Sequence, residues 1–117
     1  MEKTIVIDGK SVTFKSTGAI PLRYKAQFHR DFFADLVSLV GKIDINKIKE
    51  GTDLQIEDIS NVNFETFYNV AWTYAKTADK DILPPLEWLD SFDEFPIFQI
   101  LPELQDMLMK TVQTGKK

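Results

Sequence analysis

Asp8-Gly9 sits between two β-rich runs, Thr4-Ile5-Val6-Ile7 and Lys10-Ser11-Val12-Thr13-Phe14-Lys15. No other short stretch restricts the chain as much. A two-residue type I′ turn needs positive φ at both central positions, and Asp-Gly provides it. Closing the turn there predicts a hairpin over residues 4–15, with Ile5, Ile7, Val12 and Phe14 on one face. An isolated two-stranded hairpin is marginal in water, so that face has to be covered by later parts of the chain.

The chain after the hairpin reads as helix. Pro21 occupies a position where a first helical residue tolerates a missing N–H. Tyr24, Phe28, Phe32, Leu36, Leu39 and Ile43 recur at three- and four-residue steps, broadened by Phe33, Val37 and Val40. This spacing predicts one long helix ending near Gly41. Residues 44–62, with Gly51 and scattered charges, read as a connector with room for one short helix. Asn61 or Asn63 is a candidate cap for a helix over 64–78, whose stripe is Phe64, Phe67, Tyr68, Ala71, Trp72, Ala75 and Ala78.

Pro84-Pro85 stops the chain and restarts it as a short helix around Leu86–Leu89. Pro102 is read as the first residue of a final helix carrying Leu104, Leu108 and Val112, because a mid-helix proline costs about 3 kcal/mol. The tail 114–117 is expected to fray. The predicted fold is α+β but mainly α. Its N-terminal hairpin packs on a compact bundle of about four to five helices spanning 21–113, in one domain over 1–117.

Charge and inventory narrow the function. The 117-residue chain has a net charge of −4, one histidine and no cysteine. An acidic domain lacks the clustered cations that phosphate neutralisation needs, so no nucleic-acid partner is expected. Arg23-Tyr24-Lys25 with Arg30 is the one basic cluster, and helical spacing assigns Tyr24 to the core and the cations to a solvated face. No apolar run reaches the roughly 18 residues of a membrane span, so no membrane partner is expected either. The absence of cysteine suits a reducing cytoplasm.

His29 alone cannot build a triad or a histidine metal cluster. The pairs Asp79/Asp81 and Asp93/Glu94 are spaced as helix-start carboxylates, and the five dispersed glycines form no phosphate-cradling loop. No catalytic, cofactor-binding or metal-ligating residue is assigned, and the expectation is a binding protein rather than an enzyme.

Residues 1–30 carry six basic and two acidic groups, whereas 79–106 carry eight acidic groups and Lys80 alone. A solvated acidic face accounts for this asymmetry; attraction between opposite ends of neighbouring copies is the alternative. Within the acidic stretch, large apolar groups alternate with acids from Trp88 to Phe98. Core packing accounts for most of them. Any surplus left exposed would mark a protein partner, which makes Trp88, Phe92, Phe95 and Phe98 the partner-contact candidates.

Several stretches together resemble a known family. Gly18-Ala19-Ile20-Pro21-Leu22-Arg23-Tyr24, then Phe28-His29-Arg30-Asp31-Phe32-Phe33, is similar to the N-terminal signature of tail assembly chaperones of long-tailed (siphovirus-type) bacteriophages and prophages. Phe67-Tyr68-Asn69-Val70-Ala71-Trp72, Ala75-Lys76-Thr77-Ala78-Asp79 and Pro85-Leu86-Glu87-Trp88-Leu89-Asp90-Ser91-Phe92 resemble the same family. The resemblance implies a protein that binds the tape measure protein, keeps it soluble and helps recruit tail tube subunits. Weak self-association, for which the opposite charges of the chain ends offer a route, would add avidity along such a client. The resemblance also implies residence in the host bacterial cytoplasm and absence from the mature virion. Two other readings stand beside it: a tail completion or connector subunit retained in the particle, and a small acidic adaptor for a basic partner.

Overall fold

Positive φ at Asp8 (54°) and Gly9 (76°) closes the predicted turn. It joins β1 (Glu2–Ile7) to β2 (Lys10–Lys15) in an antiparallel pair. Ile7 faces Lys10, Ile5 faces Val12 and Lys3 faces Phe14. Ile7 and Phe14 are buried, Ile5 and Val12 partly so, on the face assigned to the core. The computed structural model describes residues 1–42, 64–104 and 106–110. The connector 44–62, Ile43, the capping candidates Asn61 and Asn63, Val112 and the tail 114–117 lie outside the described residues.

Beyond the hairpin, the described residues form five helices: α1 (Ile20–Phe28), α2 (Phe32–Lys42), α3 (Phe64–Ala78), α4 (Pro85–Asp90) and α5 (Ile97–Glu103). Residues 106–110 are also helical. The chain is thus a mainly helical α+β globule whose N-terminal hairpin packs on helices. No helix among the described residues is long and apolar enough to cross a membrane.

The centre is α3. Phe67, Val70, Ala71, Trp72, Tyr74 and Ala75 are all buried, and β2, α1, α2 and α4 pack against this helix. Burial reaches further round α3 than its predicted stripe and takes in Thr73 and Thr77. A buried hydroxyl without a partner is costly. Thr73 therefore donates to the Asn69 carbonyl and Thr77 to the Thr73 carbonyl, each at 2.8 Å.

Two helical expectations need correction. The single long helix is two helices, α1 and α2, separated at His29–Asp31. His29 caps α1 in the left-handed region (φ 61°), its N–H donating to the Lys25 carbonyl at 2.9 Å. The Asp31 side chain then accepts from the Phe33 N–H at 3.1 Å and starts α2. No glycine or proline marks this break. A tertiary network makes it.

Asp35 accepts from the Tyr24 hydroxyl at 2.7 Å and from Arg30 Nε and Nη2 at 2.7 and 2.8 Å. In a continuous helix Tyr24 and Asp35 would stand roughly 16 Å apart along the axis, so this contact requires the fold-back. The break also leaves Val37, assigned to the stripe, 51% exposed. The second correction concerns Pro102, which lies inside α5 near its end rather than at its start. Pro96 takes the N-cap position instead, and the helix stops at Glu103, one residue beyond Pro102, which limits the damage of the missing N–H.

The hydrogen bond from Arg30 holds the Asp35 carboxyl below the usual carboxylate range, although burial opposes this. Burial, reinforced by the hydrogen bond to Asp35, pushes the Tyr24 phenol well above its ordinary value. A depressed carboxyl contributes stability above its unfolded value of about 3.9, lost as pH falls through the lower folded value. A raised phenol contributes stability below about 10, lost as pH rises above that. Denaturation midpoints measured against pH should therefore fall at both extremes. Asp35→Asn should flatten the acid limb, and Tyr24→Phe the alkaline one.

The left-handed residue gives a second prediction. His29→Gly should raise stability slightly, by less than about 1 kcal/mol, because relief of backbone strain is offset by glycine's chain entropy. His29→Val should lower it by about 1 kcal/mol or more. Urea denaturation reads both.

Candidate interaction surface

Pro84 stands at the N-cap of α4 with φ −55° and ψ 163°. Its carbonyl accepts from the Trp88 N–H at 2.8 Å. The Trp72 indole donates to the Leu83 carbonyl at 2.9 Å, which ties this proline corner to α3. The short helix that results carries Trp88 inward, where it is 5% exposed, and Phe92 just beyond it is 8% exposed.

Trp88, Phe92 and Phe95 form a triangle of rings with centroids 5.3–5.6 Å apart. Phe95 reaches on to Tyr68 at 5.8 Å and Phe67 at 6.5 Å on α3. Edge and tilted pairs of this kind each contribute about 0.5–1.5 kcal/mol beyond area burial. Phe98 stands apart and pairs with Phe64 at 6.2 Å.

Three of the four partner-contact candidates thus come together, but as packing rather than as an exposed aromatic patch. Trp88 and Phe92 are core side chains, and Phe95 and Phe98 are half-buried. The exposed apolar residues here are Leu83 (51%) and Leu86 (69%), on either side of Pro84-Pro85. The sequence reading missed them because a leucine just before a short helix and one in its first turn resemble core residues. The available signal was the proline pair, which turns the chain at this point, and among the described residues no element covers both leucines.

The oppositely charged chain ends meet within one molecule. Lys10 Nζ donates to the Ser91 carbonyl and lies 5.2 Å from the Phe92 ring centroid. The Asp93 N–H donates to the Asp8 carboxylate at 2.9 Å, and Lys3 pairs with Glu103 at 3.5 Å. The last is an exposed pair and contributes little. The Lys10 and Asp8 contacts seat the hairpin turn against the loop after α4. They leave a groove of about 650 Å³ between β2, the C-terminal end of α3 and α4, with Trp88 and Phe92 among its lining residues.

The Asp79/Asp81 pair follows the end of a helix rather than starting one. The Asp79 carboxylate accepts from the Asp81 N–H at 3.0 Å, which forms the turn after α3. Among the described residues, no group of three or more His, Asp or Glu side chains is placed to hold a metal ion. His29 is exposed and serves the backbone of the α1–α2 break. No protein-family model, curated protein or solved structure matches this chain.

Stability separates packing from contact. Trp88→Ala should cost about 3–5 kcal/mol, and Phe98→Ala, being half-exposed at the start, about half as much. Leu86→Ala should be within about 0.5 kcal/mol of the native chain. Chemical denaturation of the three variants tests this order.

Proposed function

We propose that this chain is a non-enzymatic binding protein, and specifically a phage tail assembly chaperone whose client is the tape measure protein. The motifs from Gly18 to Phe33 and from Phe67 to Phe92 that resemble that family support the client. The structural observation that carries the binding half is the proline corner. Leu83 and Leu86 are exposed in a segment whose Asp81, Glu87, Asp90, Asp93 and Glu94 are exposed too.

Apolar side chains set among like charges suit repeated weak contacts with a long client, because the charge keeps the free protein soluble while the leucines supply contact area. Many such copies on one client gain avidity without a tight pairwise interface. In this reading the protein acts in the host bacterial cytoplasm, helps recruit tail tube subunits and leaves before the virion is complete. Weak self-association fits it as well. Lys3 and Lys10 are engaged within the chain, so a charge-driven contact between copies would draw on Lys15 and Lys25, both exposed.

Co-expression tests the proposal. A tape measure fragment that is insoluble alone should stay in the soluble fraction with this protein and return to the pellet with Leu83→Lys/Leu86→Lys. A fragment that remains insoluble beside the folded native protein overturns the client assignment. Recovery of the chain from purified virions would favour a retained structural subunit instead.

A further inference from the structure

Among the described residues, the outer edge of the hairpin along β2 is unpaired and faces the groove. Main-chain bonds join Met1 and Ser16 in both directions, Ser16 N–H to Met1 carbonyl at 2.8 Å and the Met1 amine to Ser16 carbonyl at 3.4 Å. The opposing pairs Lys3/Phe14, Ile5/Val12 and Ile7/Lys10 share that parity and are the hydrogen-bonded ones. Thr4 and Thr13 fall between them. Their hydroxyls meet at 2.9 Å, as the closer side chains of a non-hydrogen-bonded pair allow. The N–H and C=O groups of Ser11 and Thr13 therefore point away from β1. Among the described residues nothing bonds to them.

The groove runs along this edge. Lys10, Ser11, Val12 and Thr13 all line it. Alternation would bring only every second residue to a groove lying on one face, so four in succession place it beside the strand. Ala75 and Trp88 are on its other side, and its volume lies within the range of ligand sites. Its charge is directional. Glu2 and Asp79 line it and are exposed, one Asp79 oxygen also accepting from the Asp81 N–H, whereas the Lys10 ammonium in the same lining is turned to the Ser91 carbonyl.

We propose that the outer edge of β2 is a strand-addition site for an extended peptide segment in which apolar residues alternate with basic ones. The peptide's main chain pairs with Ser11 and Thr13. One side-chain row packs toward Ala75 and Trp88, and the basic row lies by Glu2 and Asp79. Main-chain pairing supplies the affinity, and the two rows supply the selectivity. The site does not depend on the client named above, and a synthetic probe tests it separately.

The probe is a short acetylated, amidated peptide of alternating lysine and valine, titrated into the full-length protein. Amide shifts, hydrogen exchange and affinity are measured. Binding should protect the Ser11 and Thr13 amides. Thr13→Pro removes an outward N–H without touching a β1–β2 ladder bond, and should weaken binding by about fivefold to tenfold. Val6→Pro makes the same change on the opposite edge and should leave the affinity unaltered. Glu2→Lys/Asp79→Lys should reverse the preference toward a glutamate–valine peptide. Because Asp79 also accepts from the Asp81 N–H in the turn after α3, Glu2→Lys alone, which leaves that turn intact, should already narrow the preference. Absence of binding, protection elsewhere than β2, or equal affinity for both peptides in the native protein overturns the proposal.

Discussion

The burial of α3 is the constraint on which the rest of the structure depends. A helix that is apolar or internally hydrogen-bonded over so much of its circumference cannot lie on a surface. The hairpin strand β2, α1, α2 and α4 all pack against it. The dependence is mutual, since the hairpin could not persist without a surface to cover Ile7 and Phe14. Aromatic contacts join these layers, with Phe28 against Trp72 at 5.7 Å and Phe32 against Tyr74 at 6.4 Å.

Around that centre, polar groups decide direction where apolar ones decide only proximity. Asp35 is buried but surrounded by donors, and its carboxylate reaches back to Arg30 within the α1–α2 break and to Tyr24 on the far side of it. A carboxylate in this position stabilises one chain path, because any other path leaves a buried charge without partners. The hairpin turn is seated in the same way. Asp8 both permits the turn and accepts from the Asp93 backbone, so one residue serves local geometry and long-range docking.

This arrangement bears on function through what it leaves open. The rings between Trp88 and Phe95 are used inside the fold, and the leucines beside Pro84-Pro85 are not. The hairpin is held by its face and its turn, which leaves the outer edge of β2 beside a groove. Both features suit contact with another polypeptide. Neither brings together a nucleophile, a base and an orienting group.

The sequence by itself determined the elements whose signals are local. The Asp8-Gly9 turn set the hairpin register, because positive φ at both positions allows few alternatives. The 64–78 stripe located α3, because apolar spacing and helix period coincide there. Pro84-Pro85 likewise announced the start of α4. Tertiary structure alone decided the break at His29, because apolar spacing runs through it and the groups that enforce it, Tyr24, Arg30 and Asp35, act across space. It also decided which aromatics are core and which leucines are surface. Periodicity identifies a side that wants burial, but only the assembled neighbours determine how much of it is covered.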